Sequence, residues 1–165
     1  MRYWGKKTMM KTFNELLAAR KNPEVPNKLL AIDPGETVGW ALFEQAELSG
    51  TGEVRIDIDS SGSMNILPLH RIIKVLNPDL VVIEDYRVYA HKANAHTWNA
   101  LYTPKLIGAL QYMCQLWNIP YVMQMASSKQ FCTDSKLKIW GYYKKASKHS
   151  MDAVRHGCYY LLFHK

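Results

Sequence analysis

The chain is 165 residues long and 48% hydrophobic, enough for one compact domain with its own core and too short for two full-sized ones. Its 21 Lys and Arg outnumber 14 Asp and Glu, and the resulting formal charge of +7 points to a polyanionic partner rather than an acidic small molecule. No apolar run approaches the roughly 20 residues of a membrane span, and Cys114, Cys132 and Cys158 have neither even number nor CxxC spacing, so neither a disulfide framework nor a zinc site is suggested.

Residues 1–7 lack the apolar segment of a signal peptide, so reduced cysteines and a cytoplasmic location are expected. Residues 1–27 stand outside the main pattern and are expected to form an N-terminal extension. They are basic at first, then carry a short helical stretch at 12–20 with Phe13, Leu16 and Leu17 on one side, closed by Asn22-Pro23 and Pro26.

The domain proper is expected over 28–165. It opens on Lys28-Leu29-Leu30-Ala31-Ile32-Asp33-Pro34-Gly35, followed by Glu36-Thr37-Val38-Gly39-Trp40-Ala41-Leu42-Phe43. An apolar run that ends on one carboxylate, then Pro-Gly, then a second apolar run predicts a strand, a tight turn and an antiparallel return, with Thr37 and Gly39 shaping the hairpin. Asp33 is thereby mounted at a strand end. It is either a rigidly held metal ligand or catalytic acid, or a turn aspartate bonding its own backbone.

Gly50-Thr51-Gly52-Glu53-Val54-Arg55-Ile56 predicts a turn and a third strand, and residues 60–63 a loop. Ile66, Leu69, Ile72, Ile73 and Leu76 recur at helical spacing over 64–76, ended by Asn77-Pro78. Residues 79–86 form a continuous β-branched run, the pattern of a strand buried on both faces, and it too ends in carboxylates, Glu84 and Asp85. A polar and aromatic loop over 86–95 leads to a long helix over 96–117, with Leu106, Leu110, Met113 and Leu116 on its apolar face. A fifth strand follows over 119–125, then a lysine-rich stretch over 127–148 and a last helix over 150–163 that begins with His149 and Asp152. The sum is an α/β domain with a mixed five-stranded sheet flanked by helices.

Asp33 and Glu84 end two different strands, and His149 stands three residues before Asp152 on one helical face. Carboxylates converging from strand ends and a helix suit hard divalent cations, which accept a few carboxylates and complete their shell with water and phosphate. Two such ions suit in-line phosphodiester cleavage.

In their order and separation, IDPGETVGWALF, VVIEDY and KHSMDAVRHG resemble the ribonuclease H-like fold of the RuvC-type Holliday-junction resolvases, over about residues 28–165. The resemblance implies a crossover junction endonuclease of DNA recombination and repair, with two Mg²⁺ or Mn²⁺ ions held by Asp33, Glu84 and Asp152. His149 stands where many members carry an acid. Imidazole is the softer ligand, which leaves the choice between Mg²⁺ and Mn²⁺ open. The resemblance further implies that Tyr86 and Tyr89 stack at the opened junction, that the helix over 96–117 forms a homodimer, and that the lysines beginning with Lys129 and Lys136 approach the scissile phosphate. Lys138, Lys144 and Lys145, with Trp140, Tyr142 and Tyr143 nearby, extend this DNA-binding stretch.

Plainer readings stand beside these. The lysine run is alternatively a solvated face, Asp79 and Asp85 are read as strand-flanking surface acids, and His91 and His96 as loop histidines. His156, four residues after Asp152, is weighed as a metal-facing group against a hydrogen-bonded helix histidine. Three other functions fit parts of the pattern: a YqgF-type nuclease acting on ribosomal RNA precursors, a non-catalytic nucleic-acid-binding module of the same fold, and the DxGxT phosphate loop of the actin and sugar-kinase superfamily. The last needs two such halves, and 165 residues are too few.

Overall fold

The computed structural model describes residues 10–20, 25–85 and 102–164. In chain order it contains α1 (Phe13–Ala18), β1 (Lys28–Asp33), β2 (Thr37–Glu44), β3 (Glu47–Arg55), β4 (Asp57–Ile58), β5 (Met64–Asn65), α2 (Leu67–Leu76), β6 (Leu80–Asp85), α3 (Tyr102–Leu116), β7 (Tyr121–Met125), a 3-10 helix (Ala126–Phe131), α4 (Asp134–Ile139) and α5 (Lys148–Phe163). Five strands form one mixed sheet, as expected from the run of hairpin strands followed by helix-linked ones, and their order is β3-β2-β1-β6-β7. β1 pairs antiparallel with β2 and parallel with β6, and β7 pairs parallel with β6.

Strand alternation sorts the core into two layers. Leu29, Ala31, Leu80 and Val82 pack with Met151, Val154, Cys158 and Leu161 of α5. Leu30, Ile32, Val81 and Ile83 pack on the other face with Leu69 and Ile73 of α2 and with Leu106, Leu110 and Met113 of α3. β1 and β6 are therefore covered on both sides, which explains their unbroken apolar runs. Each fully buried Val, Leu, Ile or Met among them contributes about 1.5–3 kcal/mol. The short α1 is held by its cap and by an apolar side on which Phe13 is buried and Leu16 and Leu17 pack against the core. Thr12 and Glu15 cap each other reciprocally, and Phe13, 2% exposed, packs edge-on against Trp140 and Tyr142 at centroid distances of 5.3 and 5.1 Å.

Several details depart from the sequence reading, among them a 3-10 helix and α4 inside the lysine-rich stretch. The β2–β3 turn lies at Gln45-Ala46, with φ of 50° and 67°, and joins Glu44 directly to Glu47. That is the left-handed pair a two-residue hairpin requires, built from residues that do not advertise it. Gly50 and Gly52, expected to turn the chain, instead lie inside β3 beneath Trp40. A Cβ at Gly52 would stand 2.9 Å from the indole ring, so the glycines make room for it. Finally, residues 57–65 form a small ribbon of β4 and β5, and α2 starts only at Leu67.

Candidate active site

The same alternation that sorts the core aims the site. Asp33 follows Leu29 and Ala31 on β1, Glu84 follows Leu80 and Val82 on β6, and Gln124 follows Val122 on β7, so all three fall on the face covered by α5. They stand at the carboxyl ends of three neighbouring parallel strands, where parallel sheets place their ligands. Across them runs the first half of α5, capped by Ser147, whose hydroxyl accepts from the Ser150 N–H. The helix starts earlier than expected, so His149 lies inside it, and His149, Asp152 and His156 share one face by their spacing.

Gly39, expected to shape the hairpin, lets α5 come this close. It pairs with Asp33, and a Cβ there would lie 2.0 Å from the backbone oxygen of His149. Gly157 does the same farther along, over the Phe43 ring.

The structure thus brings Asp33, Glu84, His149 and Asp152 together. Asp33 and Asp152 are buried, at 6% and 7% exposure. His149 Nδ1 lies 3.0 Å from Asp33 Oδ2. Lys129, on the 3-10 helix, donates from Nζ to Glu84 Oε2 at 3.0 Å and to Asp152 Oδ2 at 2.9 Å. Arg155 donates to Asp152 Oδ1 at 2.7 Å and also pairs with Asp134. His156, fully buried, places Nε2 2.6 Å from Glu84 Oε2, and Gln124 lies against its other face. The hydrogen-bonded reading of His156 is the observed one, although its partner is a site carboxylate.

Charge is unevenly shared among the acids. Burial and the adjacent Glu84 carboxylate push Asp33 up to about 6, against the opposing pull of His149 and Lys129. Burial acts to raise Glu84 as well, but its His156 partner and then the Lys129 ammonium outweigh it and hold it below the ordinary carboxylate range. Burial acts to lower Lys129, while its bonds to Asp152 and Glu84 raise it.

Among the described residues, no three His, Cys, Asp or Glu side chains converge, as they stand, around one point that could hold a metal ion. The place between Glu84 and Asp152 is taken by the Lys129 ammonium. Three carboxylates and an imidazole, with a cation already seated between two of the carboxylates, are by their chemistry the donor types that a hard divalent ion takes.

The other expected DNA contacts divide. Lys129 belongs to the carboxylate cluster itself. Lys136 donates to the Phe131 carbonyl at 2.6 Å, Lys138 lies over the Tyr143 ring at 4.7 Å, and Lys144 and Lys145 are exposed in the loop leading to α5. Tyr86 and Tyr89 lie outside the described residues, as do residues 96–101 of the expected dimer helix. Asp79 sits away from the site, where its carboxylate accepts the Lys28 N–H at 2.9 Å and ties the start of β1 to that of β6. Arg155 and Gln124 were missed by the sequence reading. A lone glutamine in Tyr121-Val122-Met123-Gln124-Met125, in register with Glu84, was the available signal.

No protein-family model and no curated protein sequence matches the chain. Solved structures do match. RuvC of Thermus thermophilus in complex with a Holliday junction substrate is 14% identical with a TM-score of 0.61, covering 82% of this chain and 93% of its own. A second T. thermophilus RuvC structure is 15% identical with a TM-score of 0.55, over 82% and 94%. The yeast mitochondrial Holliday junction resolvase Ydc2 is 14% identical with a TM-score of 0.51, over 91% and 83%. The likeness is one of architecture: the chain has the ribonuclease H-like fold of the RuvC-type resolvases.

Proposed function

We propose that the chain is a divalent-cation-dependent endonuclease that cuts branched DNA, four-way junctions foremost, in recombination and repair. The observation that carries this reading is the meeting of Asp33, Glu84 and Asp152 at the carboxyl edge of the sheet, under the start of α5, in a fold shared with two kinds of Holliday-junction resolvase.

Asp33, Glu84, His149 and Asp152 are the residues that would hold Mg²⁺, or Mn²⁺ given the imidazole. When bound, a pair of such ions supplies the Lewis acidity that activates water and relieves charge on the leaving oxygen. The chain's own groups prepare the site. Asp33, raised by burial and by the Glu84 carboxylate against the pull of His149 and Lys129, is an acid whose crowded negative charge an entering cation would offset. Lys129 neutralises Glu84 and Asp152 until then, and once displaced its ammonium is free to donate to a phosphate oxygen. Arg155 keeps Asp152 in place by bonding the oxygen that Lys129 does not use.

Lys136, Lys138, Lys144 and Lys145 lead along the chain from α4 to the start of α5 and would neutralise backbone phosphates, with Tyr86 and Tyr89 stacking at the junction centre. A homodimer through the helix over 96–117 would place two sites symmetrically on a four-way junction. In support, the outward face of α3 presents Lys105, Gly108 and Tyr112; among the described residues, nothing beyond its chain neighbours and its own helix backbone lies within 4 Å of a Cβ built at Gly108, and Tyr112 is 64% exposed.

The test is cleavage of a four-way junction, a fork, a linear duplex and an RNA hairpin with Mg²⁺ or Mn²⁺. Cutting of the junction well above the linear duplex is expected. Preference for the RNA hairpin would overturn the substrate, and no cutting of any of them with either ion would overturn the nuclease reading.

A further inference from the structure

Resting on that metal-dependent reading, the geometry points to a further part of the site: we infer that His156 is a positioning residue that holds the Glu84 carboxylate through a ring tautomer imposed by Gln124. The argument is one of hydrogen-bond parity. The Gln124 amide nitrogen lies 3.1 Å from the backbone oxygen of His156 and 2.6 Å from its Nδ1. A carbonyl oxygen only accepts, so the group facing it is the amide NH₂, not the amide oxygen. The second hydrogen of that NH₂ then points at Nδ1, which must accept. The ring's one hydrogen therefore sits on Nε2, which donates it to Glu84 Oε2 at 2.6 Å.

Every member of this relay is fixed. His156 is fully buried and Gln124 is 7% exposed, and Gln124 is in register with Glu84 on the adjoining strand. Lys129 also bonds Glu84 Oε2 but is half-buried on a long chain and can leave. His156 cannot leave. Glu84 thus keeps one donor when the cation enters and Lys129 withdraws, and that donor fixes the orientation in which the carboxylate is offered. Partners of this kind beside metal-binding carboxylates are worth about 10–100-fold in metal affinity or activity.

Two substitutions separate this role from mere packing. His156→Gln restores an N–H donor near the place of Nε2, whereas His156→Asn keeps a polar partner for Gln124 and loses the donor to Glu84. Mn²⁺ binding is followed by electron paramagnetic resonance or calorimetry without DNA, alongside thermal unfolding. The expected result is a Kd weakened by about 10–100-fold in His156→Asn and held within a few-fold in His156→Gln. Equal affinities in both variants and wild type would overturn the inference while leaving the metal reading intact. A wild-type protein that neither binds Mn²⁺ nor cuts DNA would overturn both. Independently of any variant's folding, the ¹⁵N spectrum of the metal-free wild-type protein should show His156 protonated at Nε2 and bare at Nδ1. The opposite tautomer, or a ring protonated at both nitrogens, would overturn the relay.

Discussion

Replacing Asp33 by Asn should make the metal-free protein more stable while destroying its response to metal. Asp33 is buried beside Glu84 and lifted from an ordinary 3.8 to about 6. Its folded pKa lies above its unfolded one, so its contribution is fully present below about pH 4 and is lost as pH rises through 6. About two units at 1.36 kcal/mol each make that loss about 3 kcal/mol as an upper figure. Glu84 is shifted the other way, from 4.5 to about 2, so its contribution is present above 4.5 and lost only as pH falls toward 2. Of these two acids, Asp33 is therefore the one whose contribution changes between pH 4.5 and 6.5. An asparagine cannot ionise, and in EDTA at pH 7.5 the variant should melt higher than wild type by up to about 6–12 °C, with the gap closing toward pH 4. In excess Mg²⁺ the wild type should gain stability by mass action, about 2.7 kcal/mol at one hundred times Kd, and the variant little or none. Thermal unfolding across that pH range, with and without Mg²⁺, measures both effects. A variant no more stable than wild type at pH 7.5 in EDTA, or a wild-type curve flat from pH 4.5 to 6.5, would refute the argument that these acids are crowded for a cation.

Gly39→Ala places a methyl 2.0 Å from the His149 carbonyl, a backbone atom that cannot step aside alone. α5 must shift, at about 1–3 kcal/mol of stability and about 10²-fold in cleavage through misplacement of His149 and Asp152; cleavage and melting within error of wild type would count against the close approach. Replacing Lys144 and Lys145 together by Ala should reduce the slope of log affinity against log salt for junction DNA by about one to two units. An unchanged slope returns them to a solvated face. Gly108→Arg in the open face of α3 should convert a dimer to a monomer in sedimentation, whereas a wild-type monomer at micromolar concentration, free and on junction DNA, would remove the dimer proposal.

The meeting of Asp33, Glu84, His149 and Asp152 was more legible in the sequence than the turns were, for a physical reason. These four side chains are placed by the two strict periodicities of strand and helix, which survive any detail of packing. The β2–β3 turn escaped because Gln45 and Ala46 adopt left-handed backbone without the usual Asn or Gly, while Gly50 and Gly52 carry a turn's composition and serve Trp40 instead. Gly39 was visible as a glycine, but its role depends on a helix more than one hundred residues later, so no local pattern could assign it. Gln124 and Arg155 are polar residues whose meaning is set by the carboxylates they touch, and only the assembled sheet brings them there. Lys129 is expected from the resemblance to approach the scissile phosphate; what no local pattern shows is that the strand before it delivers it between two acids.

The most direct test of the central claim is to remove the charge of Glu84 without changing its shape and to measure Mg²⁺-dependent cutting of a four-way junction together with binding to it. Glu84→Gln should lower the cleavage rate by a factor on the order of 10³ or more, since several kcal/mol of transition-state stabilisation leave with the cation, and junction binding should persist because the lysines supply it. Cleavage by Glu84→Gln at the wild-type rate would contradict the account.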